Sequence, residues 1–157
     1  MTGQDRRSRA EAGLSTTEST GTESPDPEAH VAPRALVVDD SEAIRSLIVV
    51  NLELEGFEVR TAGDGQEGLE TALAWHPDVI TLDVVMPRLN GFETLERLRA
   101  DPATAQIPVV IVTARAPAAD RMLGERLGVD AYLTKPFEPA ELVSVVTALA
   151  RHGRSLA

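Results

Sequence analysis

Val79-Ile80-Thr81-Leu82-Asp83 decides the fold. Four strand-forming residues run without a break and stop at an acid. The same plan stands at Ala35-Leu36-Val37-Val38 before Asp39-Asp40, and at Val109-Val110-Ile111-Val112 before Thr113. A strand with one wet face alternates apolar and polar residues. A continuous run means that both faces are covered, as in a parallel sheet flanked by helices. Between the runs the period becomes helical. Ile44, Leu47 and Ile48 stand at i, i+3 and i+4, and Gly56 closes that segment. Leu69, Ala72 and Leu73 share a face over residues 65–75. Phe92, Leu95 and Leu98 do so after a loop containing Pro87 and Gly91, and Leu142, Val145, Val146 and Leu149 in the last helix. A weakly amphipathic helix is predicted over 119–127. Phe57-Glu58-Val59-Arg60 alternates as an edge strand does. Ala131-Tyr132-Leu133-Thr134 is a last short strand, ending at Lys135-Pro136. Five strands alternating with five helices predict an α/β domain built on a doubly wound, five-stranded parallel sheet.

This pattern occupies 34–150. Residues 1–33 are rich in Ser, Thr, Glu, Gly and Pro, with Leu14 and Val31 nearly the only large apolar side chains. Such a segment buries too little to offset its ordering entropy and is predicted to be a disordered N-terminal tail. Residues 151–157 are predicted to be a short C-terminal tail. The 157 residues are 43% apolar, a normal globular share, and contain no cysteine. Disulfides, cysteine-ligated metals and thiol catalysis are thereby excluded. The formal net charge of -10, without a basic patch, argues against nucleic-acid phosphates as a partner. His30, His76 and His152 have no ligand spacing. No stretch approaches the ~20 apolar residues of a membrane span, and no apolar run follows Arg6-Arg7 as an export signal requires. The expected location is the cytoplasm.

In open α/β sheets, ligands bind beyond the carboxyl ends of the strands, where strand order reverses. The residues at those ends are Asp39, Asp40, Asp83, Thr113 and Lys135. Each alone has a plain structural reading: a helix cap, a turn acid, a strand-end hydroxyl, a solvated lysine. Together, on four strands of one frame, they point to chemistry. Clustered carboxylates repel unless neutralised, and a hard divalent cation neutralises them. Mg2+ takes oxygen ligands and commonly a phosphate oxygen. Asp83, in the centre, can act as nucleophile to form an acyl phosphate. Lys135 and Thr113 can then stabilise charge on the transferring group. Lys135 is the single lysine among 15 basic residues, so a compact ammonium is singled out where arginine is otherwise used.

At this point the chain resembles the receiver domain of two-component response regulators. The matching stretches are Leu36-Val37-Val38-Asp39-Asp40, Leu82-Asp83 with Met86-Pro87 and Gly91, Val112-Thr113-Ala114, and Gly128-Val129-Asp130-Ala131-Tyr132-Leu133-Thr134-Lys135-Pro136-Phe137. The resemblance implies the flavodoxin-like strand order 2-1-3-4-5. It implies phosphotransfer to Asp83 from a sensor histidine kinase or phosphotransfer protein. Asp39 and Asp40 match the acidic Mg2+ pair, with Asp40 favoured as the direct ligand, and Val85 matches a backbone-carbonyl ligand. Thr113 and Tyr132 match the switch pair, and Ala114 the small residue beside the phosphoryl group. Lys135-Pro136 matches a bond usually cis in the family, against ~5% for X-Pro bonds in general. Val85 and Arg115 depart from the common pattern, in which a polar side chain often stands at the first position.

Rival readings are a small-molecule phosphohydrolase, which needs a cap domain or large loops, and a phosphorylation-independent receiver, which commonly lacks an acid or the lysine. Nucleotide binding is disfavoured, because no Gly-rich phosphate loop follows the first strand. The chain length leaves no room for an output domain. The expectation is therefore a single-domain switch, not an enzyme with turnover, which has no DNA-binding domain and signals to a downstream protein.

Overall fold

The computed structural model describes residues 32–154. The tail expected over 1–33 thus lies almost wholly outside the described residues. The elements alternate strictly: β1 (Arg34–Val38), α1 (Glu42–Leu54), β2 (Glu58–Ala62), α2 (Gly65–Trp75), β3 (Val79–Leu82), α3 (Gly91–Ala100), β4 (Val109–Thr113), α4 (Ala118–Leu127), β5 (Ala131–Thr134) and α5 (Pro139–His152). All pairings are parallel, and the sheet order is β2-β1-β3-β4-β5, as the resemblance implied.

The unbroken apolar runs are explained by two cores, one on each face of the sheet. Leu36, Val38, Ile80, Leu82, Val109 and Ile111 pack with Ala72, Trp75, Leu95 and Leu98 of α2 and α3. Ala35, Val37, Val79, Val110 and Val112 pack with Ile48, Leu52, Leu142 and Val146 of α1 and α5. Alternate residues of one strand therefore serve opposite cores.

Side chains fix where α1, α2 and α3 start. Ser41 caps α1 by accepting from Ile44 N–H at 3.3 Å, and Asp64 caps α2 through Glu67 N–H at 2.9 Å. Asn90 and Glu93 form a reciprocal capping box at α3. α4 stops at Gly128, whose φ of 92 favours glycine.

Three details differ from the sequence reading. α5 runs to His152, past the start of the tail expected over 151–157, because the helical period continues to Gly153. β2 runs over Glu58–Ala62, and Phe57 is buried just before it. Leu47 and Leu73 are exposed, because a helix lying on a sheet buries only a narrow stripe, here Ile48 with Leu52 and Ala72 with Trp75.

Candidate functional site

Register brings the acids together. Val38 pairs with Leu82, so Asp39 and Asp83 leave adjacent strands side by side, and Asp83 N–H donates to Val38 O at 3.0 Å. On the other flank Thr113 pairs with Thr134, and Lys135 N–H donates to Thr113 O at 2.8 Å. Lys135 thus follows β5 at the same end of the sheet, where its peptide bond to Pro136 is cis. Its Nζ donates to Asp39 Oδ2 at 2.8 Å and to Asp83 Oδ2 at 3.1 Å.

Asp39, Asp40 and Asp83 each offer a carboxylate oxygen within a 4.8 Å cluster. Asp39 and Asp83 are buried and Asp40 is exposed. Asp39 Oδ1 accepts from Ser41 N–H at 2.9 Å, and Asp83 Oδ1 from Val85 N–H at 3.3 Å. Among the described residues, nothing holds the Asp40 carboxylate.

Charge is out of balance here. Burial raises the Asp39 pKa above the ordinary carboxylate value, and the charge of Asp83 adds to it, against the bonds from Lys135 and Ser41. Burial also works against the Lys135 ammonium, yet the bond to Asp39 and the two carboxylate charges outweigh it and hold its pKa above normal. The Asp39 shift is chiefly a cost of burying a carboxylate, whereas the Lys135 shift reflects the two carboxylates around its ammonium. The donor set is all oxygen and partly buried, which suits a hard cation such as Mg2+.

Thr113 is fully buried, and its Oγ1 accepts from Arg115 N–H at 3.2 Å. The Tyr132 hydroxyl donates to Arg115 O at 2.8 Å, and Arg121 of α4 lies 4.8 Å from its ring centre. Burial raises the Tyr132 pKa, so it stays a protonated donor. The Val85 side chain and Ala114 are exposed. All residues singled out from the sequence therefore stand at one end of the sheet or on the adjoining β5. Sequence reasoning passed over Ser41 and Arg45, which donates to Asp39 O at 2.6 Å. Ser41 was open to discovery as a cap before an apolar helix. Arg45 carried no signal, because only the fold turns its side chain back over β1.

The family model for the response regulator receiver domain matches residues 35–147. The chain therefore belongs to that family, whose members are phosphorylation-based switches and not classical enzymes. Over 119 residues it is 44% identical to the DNA-binding dual master transcriptional regulator RpaA of a Synechocystis species, covering 76% of this chain and 49% of that protein. Identity to the alkaline phosphatase synthesis transcriptional regulatory protein PhoP of Bacillus subtilis is 43%, covering 75% of this chain and 48% of that protein. The solved structure of the Vibrio cholerae chemotaxis protein CheY4 superposes with a TM-score of 0.72 at 33% identity, covering 75% of this chain and 98% of that one.

These relatives overturn one expectation. A single-domain switch without a DNA-binding domain was inferred from chain length and from the net charge. The chain spans about half the length of the curated relatives it matches, and those relatives are named as transcriptional regulators. The charge of a receiver and the number of residues around it describe that domain alone. They carry no information on an output.

Proposed function

We propose that this chain is a phosphorylation switch in which Asp83 accepts a phosphoryl group from a phosphohistidine donor, with Mg2+ bound beside it. One observation carries the reading: Lys135 Nζ lies 2.8 Å from Asp39 and 3.1 Å from Asp83, within three carboxylates that it does not neutralise. Asp39, Asp40 and Asp83 would hold the metal, joined by the Val85 carbonyl. Bound there, Mg2+ supplies positive charge against the carboxylates and the phosphoryl oxygens. An Asp83 carboxylate oxygen attacks phosphorus. The new P–O bond forms as the donor's P–N bond breaks, and the electron pair leaves with the imidazole nitrogen. Lys135, kept charged by its two partners, stabilises the growing negative charge. Thr113 has a hydroxyl proton to donate to a phosphoryl oxygen, which would draw it from its contact with Arg115. Tyr132, bonded to that same residue, then responds, and the pair forms the switch.

Control of transcription is the output favoured by the names of the relatives matched at 43–44% identity. The cytoplasm is the location favoured by the absence of cysteine and by the lack, among the described residues, of any helix long and apolar enough to cross a membrane. The test is intact mass after incubation with acetyl phosphate and Mg2+. One added phosphoryl group is expected on the parent, and none on Asp83→Asn or in EDTA. Undiminished labelling of either overturns the reading.

A further inference from the structure

The loop from β3 to α3 carries Asp83 and Val85 and is packed from two sides. Gly91 N–H donates to Val84 O at 2.9 Å, and a Cβ on Gly91 would lie 2.1 Å from Asp83 O. Leu89 is buried, and a Cβ on Gly65, at the start of α2, would lie 2.5 Å from Leu89 O. Between these contacts stands Arg88, with a left-handed φ of 66. Glycine adopts that conformation freely, whereas a residue with a Cβ is strained there. An arginine at this position needs a compensating contact, and its guanidinium has one. Across 24 residues of chain, Arg88 Nη2 donates to Asp64 Oδ2. Asp64 is itself fixed, since its Oδ1 caps α2 through Glu67 N–H. That bond and the Arg88 contact hold its carboxyl below the usual range.

We propose that Arg88 and Asp64 form a clamp between α2 and the β3–α3 loop that positions Asp83 and the Val85 backbone for the metal. Arg88 is then a positioning residue of the phosphorylation site, not simply an occupant of a turn. The inference rests on the Mg2+ reading above. The Arg88 side chain is 70% exposed, so the pair is screened, and the effect on affinity is about fivefold rather than many decades.

Two measurements on the full chain test the clamp. One is Mg2+ affinity by calorimetry. The other is amide hydrogen exchange at Leu89 and Gly91 without metal. Arg88→Gly relieves the backbone but removes the pair. Asp64→Asn removes the charge but retains a helix cap. Each is expected to weaken Mg2+ binding about fivefold and to speed loop exchange, with the double variant no worse than either single. Arg88→Lys should restore most of the affinity, and the urea midpoint should stay near that of the parent. The clamp is overturned if Arg88→Gly binds Mg2+ and exchanges like the parent. It is also overturned if the two losses simply add, or if affinity falls only in step with the urea midpoint. A parent protein that takes up neither Mg2+ nor a phosphoryl group would instead sink the functional reading. The exchange measurement, which needs no metal, would still decide whether the clamp orders the loop.

Discussion

At the scale of single residues, the site sets burial against charge. Asp39 is 2% exposed and titrates above its ordinary value. A carboxyl with a raised folded-state pKa stabilises the fold below its unfolded value, and that contribution is lost as pH rises through the folded value. Asp39 is therefore a burden to the metal-free protein at neutral pH. Asp39→Asn should raise the urea stability of the metal-free protein by about 1 kcal/mol at pH 7 and by almost nothing near pH 3, where both side chains are neutral. An equal gain at both pH values would mean that packing, not charge, is responsible. Lys135 is the complementary case. Its ammonium fits between two oxygens at 2.8 and 3.1 Å, a place for a point charge and not a planar fork. Lys135→Arg should reduce phosphorylation from acetyl phosphate by at least about tenfold, measured as the rate of mass gain. A variant that labels like the parent would show that charge alone suffices.

At the scale of elements, α4 and β5 are where a change at Asp83 can leave the site. Arg115 is bonded to both switch residues: its N–H donates to Thr113 Oγ1 at 3.2 Å, and its carbonyl accepts from the Tyr132 hydroxyl at 2.8 Å. Arg115 also pairs with Asp120 of α4 at 3.2 Å. Under the proposed function, movement of Thr113 toward a phosphoryl group would break the first of these bonds and be felt at the others. α4 is lightly anchored, with no side-chain cap at its start and Gly124 its one buried residue. Beryllofluoride, a phosphoryl mimic, should therefore shift the amide resonances of Thr113, Tyr132 and residues 118–127 in the presence of Mg2+. Shifts confined to Asp39, Asp40, Asp83 and their loops would place the output elsewhere.

At the scale of the molecule, the end of the sheet opposite the site is tied by one buried acid. Asp130 accepts from Val109 N–H at 2.8 Å, Arg99 Nη2 at 3.0 Å and Arg154 Nε at 3.2 Å. Its side chain is 1% exposed. Burial and the neighbouring Arg154 lower the Arg99 pKa to about 10, still fully charged at neutral pH. The acid joins α3, β4, the α4–β5 loop and the segment after α5. Asp130→Ala leaves two arginines without their counter-charge and should lower the unfolding free energy by about 3 kcal/mol in urea. A loss below about 1 kcal/mol would mean that water replaces the acid cheaply. The expected independence of the N-terminal segment belongs to the same scale. Chains starting at Ala32 should melt within about 2 °C of the parent and label equally at Asp83, since residues 1–33 have little to bury. A clearly lower melting temperature would count against that boundary.

The sequence by itself determined the element types, because covering both faces of a parallel sheet demands unbroken apolar strands and amphipathic helices. It also placed Asp39, Asp40, Asp83, Thr113 and Lys135 at one end of the sheet, because each closes or follows a strand run. Tertiary structure decided what those patterns do not encode. Leu47 and Leu73 carry the helical period of the core yet face water, since the width of a buried stripe depends on what lies beneath the helix. Arg45, Arg88 and Asp130 act through partners 6, 24 and up to 31 residues away along the chain. A charged side chain has the same composition and spacing whether it is solvated or clamped. Only the folded path of the backbone brings its partner within reach, so these contacts were settled by packing and not by local pattern.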